Sequence, residues 1–247
     1  MSKLSILTEF GTLGADSTGS WHGNAVAGLA AGSHNNTTGA LGVMGVAFDA
    51  DMRWATYHSI PSGTAWVTDW YTQIANDAHD ANVVVVNNSW GVSMTNYACN
   101  NAVIAGSADW CHNNGIINPT DTWPVTSANV DDFRAYKANF GLTDDETFST
   151  IVNQGSTSTS AINSWRGWIS ALDNLQSKAI IIYALSNVPG ETEPGVYSAL
   201  PVFYTELEDA FLGVGFSQVE GSAISSSTVK RYGNPCGEAM KNCFEKS

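Results

Sequence analysis

Four valines in succession, at positions 83–86 within "NVVVVNNSW" (82–90), constrain this chain more than any other stretch. A run of β-branched side chains favours extended backbone. With no polar residue alternating through it, the run predicts a strand buried on both faces, and only a sheet covered on both sides provides that. "AIIIYALSN" (179–187) predicts a second doubly buried strand, "AFLGVGFS" (210–217) a third, and "MRWATYH" (52–58) a further strand. Helical patterns lie between them. "AVAGLAAG" (25–32) predicts a short helix of small residues. "AWVTDWYTQIANDA" (65–78) repeats Trp66, Trp70, Ile74 and Ala78 every four residues, and "INSWRGWISALDNLQSK" (162–178) puts Trp165, Trp168, Ile169, Leu172 and Leu175 on one helical face.

Strands alternating with helices of about four turns predict a three-layer α/β fold, a mainly parallel β-sheet with helices on both faces. At 247 residues and 43% hydrophobic content the chain is long and apolar enough for one large domain. Residues 92–160 break the pattern. They are polar, rich in Gly, Asn and Ser, and too long for a simple crossover, so they are expected to form an insertion with one acidic helical stretch around Asp131 to Asn139.

Charge narrows the partners. Only 13% of residues are charged, the net charge is -13, and no Lys/Arg cluster offsets it, so nucleic acid is excluded as a partner. No apolar run reaches the eighteen residues of a membrane span, and "MSKLSILTEFGTLGADSTGS" lacks the apolar core and cleavage site of a secretion signal. The four cysteines form two close pairs, Cys99 with Cys111 and Cys236 with Cys243. Their spacing fits short-loop disulfides in an oxidising compartment. Zinc is the competing reading, although neither pair has C-x-x-C spacing and His112 alone adds little.

In parallel α/β sheets ligands sit beyond the carboxyl ends of the strands. Here the valine run ends in Asn87, Asn88, Ser89 and Gly91, and the second strand ends in Asn187. Three segments resemble the subtilisin-like serine proteases. His22, Gly23, Asn24, Ala25, Val26, Ala27 and Gly28 resemble that family's His-Gly-Thr-His-Val-Ala-Gly helix. "VVVVNNSWG" is similar to its substrate-binding strand end, and "ALSNVPGE" to its Ala-Ala-Gly-Asn-x-Gly. "SALPVFYTELEDAFLGVGF" and "RYGNPCGEAMKNC" further resemble the branch found in bacterial autotransporter passengers.

The resemblance implies peptide-bond hydrolysis of polypeptide substrates outside the cell or at its surface. It makes His22 the general base that activates a serine hydroxyl. It makes Asn187 the oxyanion-hole donor, and Ser89, Trp90 and Gly91 the edge that takes an extended peptide as an added strand. His34, His58, His79 and His112 have no comparable flanks. No cofactor is required. Calcium is often found in the family, but "NVDD" and "LTDDE" are expected to be solvated helix starts rather than its site.

The chain departs from the pattern at four points, the first being Asn24 and Ala25 where the family has Thr and a second His. No apolar strand is expected to lead into "GADSTG", so Asp16 is assigned to the loop before the helix rather than to the triad. The Gly-Thr-Ser-Met-Ala-x-Pro nucleophile motif is absent, and "GVSMT" around Ser93 imitates it in the wrong order and on the wrong element. The family's Ala-Gly-Asn is Leu185, Ser186, Asn187, which alters the turn that aims the amide. The expectation is therefore a peptidase domain incomplete at both termini. The competing class is a non-catalytic, pseudoprotease-like domain that keeps the groove to bind peptides.

Overall fold

The computed structural model describes residues 4–10, 21–32, 45–47, 50–57, 66–90, 99, 104–114, 129–153, 156–186, 191–215, 217–219, 229–231 and 233–244. For 4–10, 21–25, 54, 56, 57, 218, 219, 229, 230 and 244 the description is of backbone. The chain divides into two compact units, Met1–Thr64 and Ala65–Ser247.

In the first unit, strand β1 (Leu4–Phe10) pairs in parallel with β2 (Met52–Tyr57), and helix α1 (Trp21–Ala31) lies between them in sequence. The register runs from Leu4↔Met52 to Phe10↔Tyr57 with one irregularity between Ile6 and Thr8. β1 corrects the expectation that no strand precedes "GADSTG". Ser5, Thr8 and Glu9 interrupt its apolar pattern, so pairing with β2, not periodicity, accounts for it. The free carbonyls at the end of α1 are met by the returning chain: Gly45 N–H donates to Gly32 O (2.9 Å), Val46 to Leu29 O (3.0 Å) and Ala47 to Ala30 O (2.8 Å). Gly45 is required there, because a Cβ would stand 2.6 Å from Ala31 Cα.

The second unit is built on a four-stranded parallel sheet in the order β3 (Val85–Asn88), β4 (Ile180–Ala184), β5 (Phe211–Val214), β8 (Cys243–Phe244). A separate antiparallel ribbon joins β6 (Ser217–Val219) to β7 (Val229–Arg231). The α/β class with a mainly parallel sheet is thus the observed one. The valine strand forms, but it is not buried on both faces. Val84 is 70% exposed and Val85 49%. Val85 and Ile180 make the first rung of the pairing of β3, the outermost of the described strands of this sheet, with β4, and Ile180 is likewise 48% exposed. β4 buries Ile181 and Tyr183 in alternation, so it too has one well-covered face rather than two.

Helix α2 (Val67–Asp80) packs along α6 (Thr159–Gln176). The buried face of α6 is the expected one, with Trp165, Trp168, Ile169, Leu172 and Leu175 all inside. The face of α2 is rotated from the expected stripe. Val67, Thr68, Ala75 and Ala78 are buried, while Trp66 stands at the N-cap. Thr68 is the polar member of that face, and Asn153 at the end of α5 (Asp144–Val152) holds it, donating from Nδ2 to Thr68 Oγ1 (2.9 Å) and to Ala161 O (3.1 Å).

The 92–160 stretch is more ordered than its composition predicts. It contains α3 (Ser107–Asn113), α4 (Val130–Phe140) and α5; the sequence pattern predicts α4 and the start of α5 at "LTDDE", but not α3. Phe133 and Phe148 meet at 4.3 Å between centroids, and Phe148 lies flat on Trp165 at 4.5 Å. Both cysteine pairs are bonded, Cys99 to Cys111 and Cys236 to Cys243, which settles the choice between disulfides and zinc.

Candidate active site

Parallel pairing brings the carboxyl ends of β3 and β4 side by side, Asn88 opposite Tyr183. The chain leaves β3 through Ser89 and Trp90 and leaves β4 through Leu185 and Ser186. At the end of β3 the side chains are already committed. Asn87 Nδ2 donates to Ser89 Oγ (2.8 Å), and Asn88 Nδ2 reaches across to Ile182 O (3.3 Å).

Trp90 turns its ring onto an aromatic cluster: Tyr71 at 5.0 Å, Tyr197 at 5.2 Å, Tyr183 at 5.6 Å and Trp168 at 6.5 Å between centroids. Edge-to-face geometry with Tyr183 and Tyr197 suits the ring quadrupoles. About a third of Trp90 (36%) stays exposed, so it roofs the core on one side and offers an apolar surface on the other.

The end of β4 departs from ordinary backbone. Ser186 has φ +92°, a conformation that favours glycine. Its neighbours hold it there. Asn234, fully buried, donates its N–H to Ser186 O (3.1 Å) and its Nδ2 to Glu193 O (2.8 Å). Gly195 N–H donates to Leu185 O (3.0 Å). Strained non-glycine backbone of this kind collects at functional sites.

The acidic runs are helix starts, as expected. Asn129 caps α4 by accepting from Asp132 N–H (2.8 Å), and Thr143 caps α5 in a reciprocal box with Glu146. Asp132 is only partly solvated, however. Burial, with the Glu191 and Asp131 carboxylates nearby, pushes its carboxyl up to about 6. The carboxylates of "LTDDE" are engaged with Lys137, Tyr204 and Thr143, a set that does not fit a calcium site. Among the described residues no three His, Cys, Asp or Glu side chains converge to hold a metal ion.

The remaining expected site residues divide as follows. His22 is the second residue of α1, in the first unit, and its side chain lies outside the described residues, as do Asn187, Gly91, Asp16 and Ser93. Ser89, Trp90 and the bonded cysteines lie within them. Sequence reasoning passes over Asn129 and Asn234, which grip the chain on either side of residues 187–190. The helix-start pattern of "NVDD" is the signal for Asn129; nothing in the sequence marks Asn234.

Residues 11–241 match the family model of the subtilase family. The chain belongs to that family, whose members are serine-type peptidases acting on polypeptides. No curated protein matches the chain.

Proposed function

We propose that this chain is a serine-type endopeptidase domain, acting outside the cell or at its surface and related to the autotransporter branch of the family. In this reading residues 1–247 belong to one peptidase domain. His22 takes the proton from the serine nucleophile and returns it to the leaving amine, and Asn187 donates its carboxamide to the oxyanion. Ser89, Trp90 and Gly91 present the edge on which an extended polypeptide lies. Serine-based acyl transfer needs no cofactor.

The observation that carries the reading is the pairing of β3 with β4, which brings Ser89 and Trp90 to the same end of the sheet as the strained Ser186 turn. The subtilase match and the bonded cysteines support it. Residues 1–247 contain no Gly-Thr-Ser-Met-Ala-x-Pro motif, so this reading assigns the nucleophile to no serine of the span. By themselves they should resist a fluorophosphonate probe. The product of the longest coding sequence that includes them should label, and His22→Ala should abolish that labelling. Asn187→Ala should lower kcat by roughly a hundredfold or more with KM little changed. Labelling at Ser93 or Ser17 of the 247-residue chain, or a longer product that never labels, would remove the assignment. In the latter case retained peptide binding would point to the non-catalytic class.

A further inference from the structure

The segment that holds the strained Ser186 turn is itself closed by a disulfide. Asn234 donates its N–H to Ser186 O and its Nδ2 to Glu193 O, so it ties the two sides of the turn together. Cys236 stands two residues further on and is bonded to Cys243, at a sequence separation of 7. Gly237 brings this ring against the turn. At φ +45°, and with a Cβ that would stand 2.7 Å from Pro194 Cδ, no side chain fits there. That approach lets Glu238 N–H donate to Glu193 Oε2 (3.0 Å).

The other end of the ring belongs to the sheet. Cys243 lies opposite Gly213 of β5 in the first rung of β8, and Asn242 Nδ2 donates to Glu208 O (3.0 Å) and Phe211 O (3.4 Å). β8 has only two residues, so its ladder gives the segment little hold of its own. Ala239 adds a small apolar anchor beside Val130 and Ala199. Arg134 with Glu238 and Lys241 with Glu208 are partly exposed ion pairs, which contribute little. Against these weak ties, the covalent bond is the firm link between the sheet and Asn234.

The two disulfides differ in access. Cys99 and Cys111 are 0% exposed, whereas Cys236 and Cys243 are both partly exposed. Exchange requires a thiolate to reach sulfur, so a reductant meets the second pair first.

We propose that Cys236–Cys243 is a reducible latch on the Ser186 turn: closed, it fixes Asn234 against Ser186 and Glu193, and opened by a dithiol reductant it releases them. One thiolate of the reductant attacks one sulfur of the pair, and the other sulfur leaves as a thiolate and takes up a proton. The second thiol of the reductant then displaces the first cysteine and closes its own disulfide, so two electrons pass to the protein pair. The bearing on hydrolysis rests on the proposed active site lying at this turn. On that reading oxidising surroundings fix the site and reducing ones loosen it.

The test uses the 247-residue chain. Limiting dithiothreitol followed by iodoacetamide and peptide mapping should find Cys236 and Cys243 alkylated while Cys99 and Cys111 stay bonded. In that species amide exchange at Asn234 and Glu238 should accelerate by roughly tenfold to a hundredfold, the constraint lost with a ring of this size. Exchange at Thr147, whose N–H donates to Thr143 O in α5, should stay as it was. The same rates should appear in Cys236→Ser with Cys243→Ser, and the reduced parent decides alone if that variant does not fold. Unchanged exchange at Asn234 once the pair is open overturns the latch, as does opening of Cys99–Cys111 first. Equal acceleration at Thr147 also overturns it, because the bond would then staple the whole fold. In the longer product, fluorophosphonate labelling that ignores the state of the pair while Asn234 exchange responds would leave the latch standing and remove the turn from the active site instead.

Discussion

Ser186 asks a residue with a Cβ to adopt backbone that glycine adopts freely. The surrounding hydrogen bonds from Asn234 and Gly195 hold it at φ +92° against a strain of about 1–3 kcal/mol. Replacing it by glycine removes that strain but raises the entropy of the unfolded chain, a loss of about 0.5–1 kcal/mol. Relief of strain outweighs the added entropy, so Ser186→Gly should stabilise the protein by about 0.5–1 kcal/mol. The urea midpoint should rise with an unchanged slope. Ser186→Val, which adds branching at the same φ, should lower the midpoint. A lowered midpoint in Ser186→Gly would mean that the serine side chain contributes more than its backbone costs.

At the scale of elements, the start of α4 carries a pH dependence of its own. The Asp132 carboxyl is raised from its ordinary 3.8 to about 6, chiefly by burial and then by Glu191 and Asp131. A carboxyl raised on folding favours the protonated form. Its contribution is therefore complete below about pH 4 and is lost as pH rises through 6. Asp132→Asn should match the parent near pH 4 and exceed it at pH 8 by about 1–2 kcal/mol, once solvent screening at this half-buried site is allowed for. Chemical denaturation at the two pH values measures it, and an equal difference at both would refute the shift. The same helix shows how far the sequence could be read. Its start was legible because a cap is a local event encoded in four residues, and the face of α6 was legible because five apolar residues at helical spacing leave one solution. Elements decided by distant partners were not. β1 depends on pairing with β2. The buried face of α2 depends on Asn153, 85 residues from Thr68. The exposure of Val84 and Val85 depends on β3 being the outermost of the described strands of its sheet. At the candidate site, the place of Ser89 and Trp90 just past the end of β3 could be read from their motif. The grip of Asn129 on Glu191 and of Asn234 on Ser186 and Glu193 could not, because no local pattern records which buried amide will meet which distant acceptor.

For the molecule as a whole, two electrostatic effects of opposite sign compete, and counting charges decides between them. Ion pairs such as Arg134 with Glu238, Lys137 with Asp144, Arg166 with Glu206 and Lys241 with Glu208 are weakened by salt. Each is partly exposed, and such pairs contribute about 0–1 kcal/mol. Against them stand 23 acidic residues and only 10 basic ones, so even complete pairing leaves an excess of 13 negative charges repelling one another in the folded state. Raising ionic strength from about 0.01 to 0.15 M shortens the screening length from about 30 to about 8 Å, which relieves long-range repulsion more than it weakens contacts at about 3–4 Å. Folding stability in sodium chloride should therefore rise over this range, on the order of 1 kcal/mol. Chloride is the right anion for the measurement, because sulfate strengthens apolar burial whatever the charge. A stability that falls with chloride would show that the ion pairs, rather than the acidic excess, dominate the electrostatics of this fold.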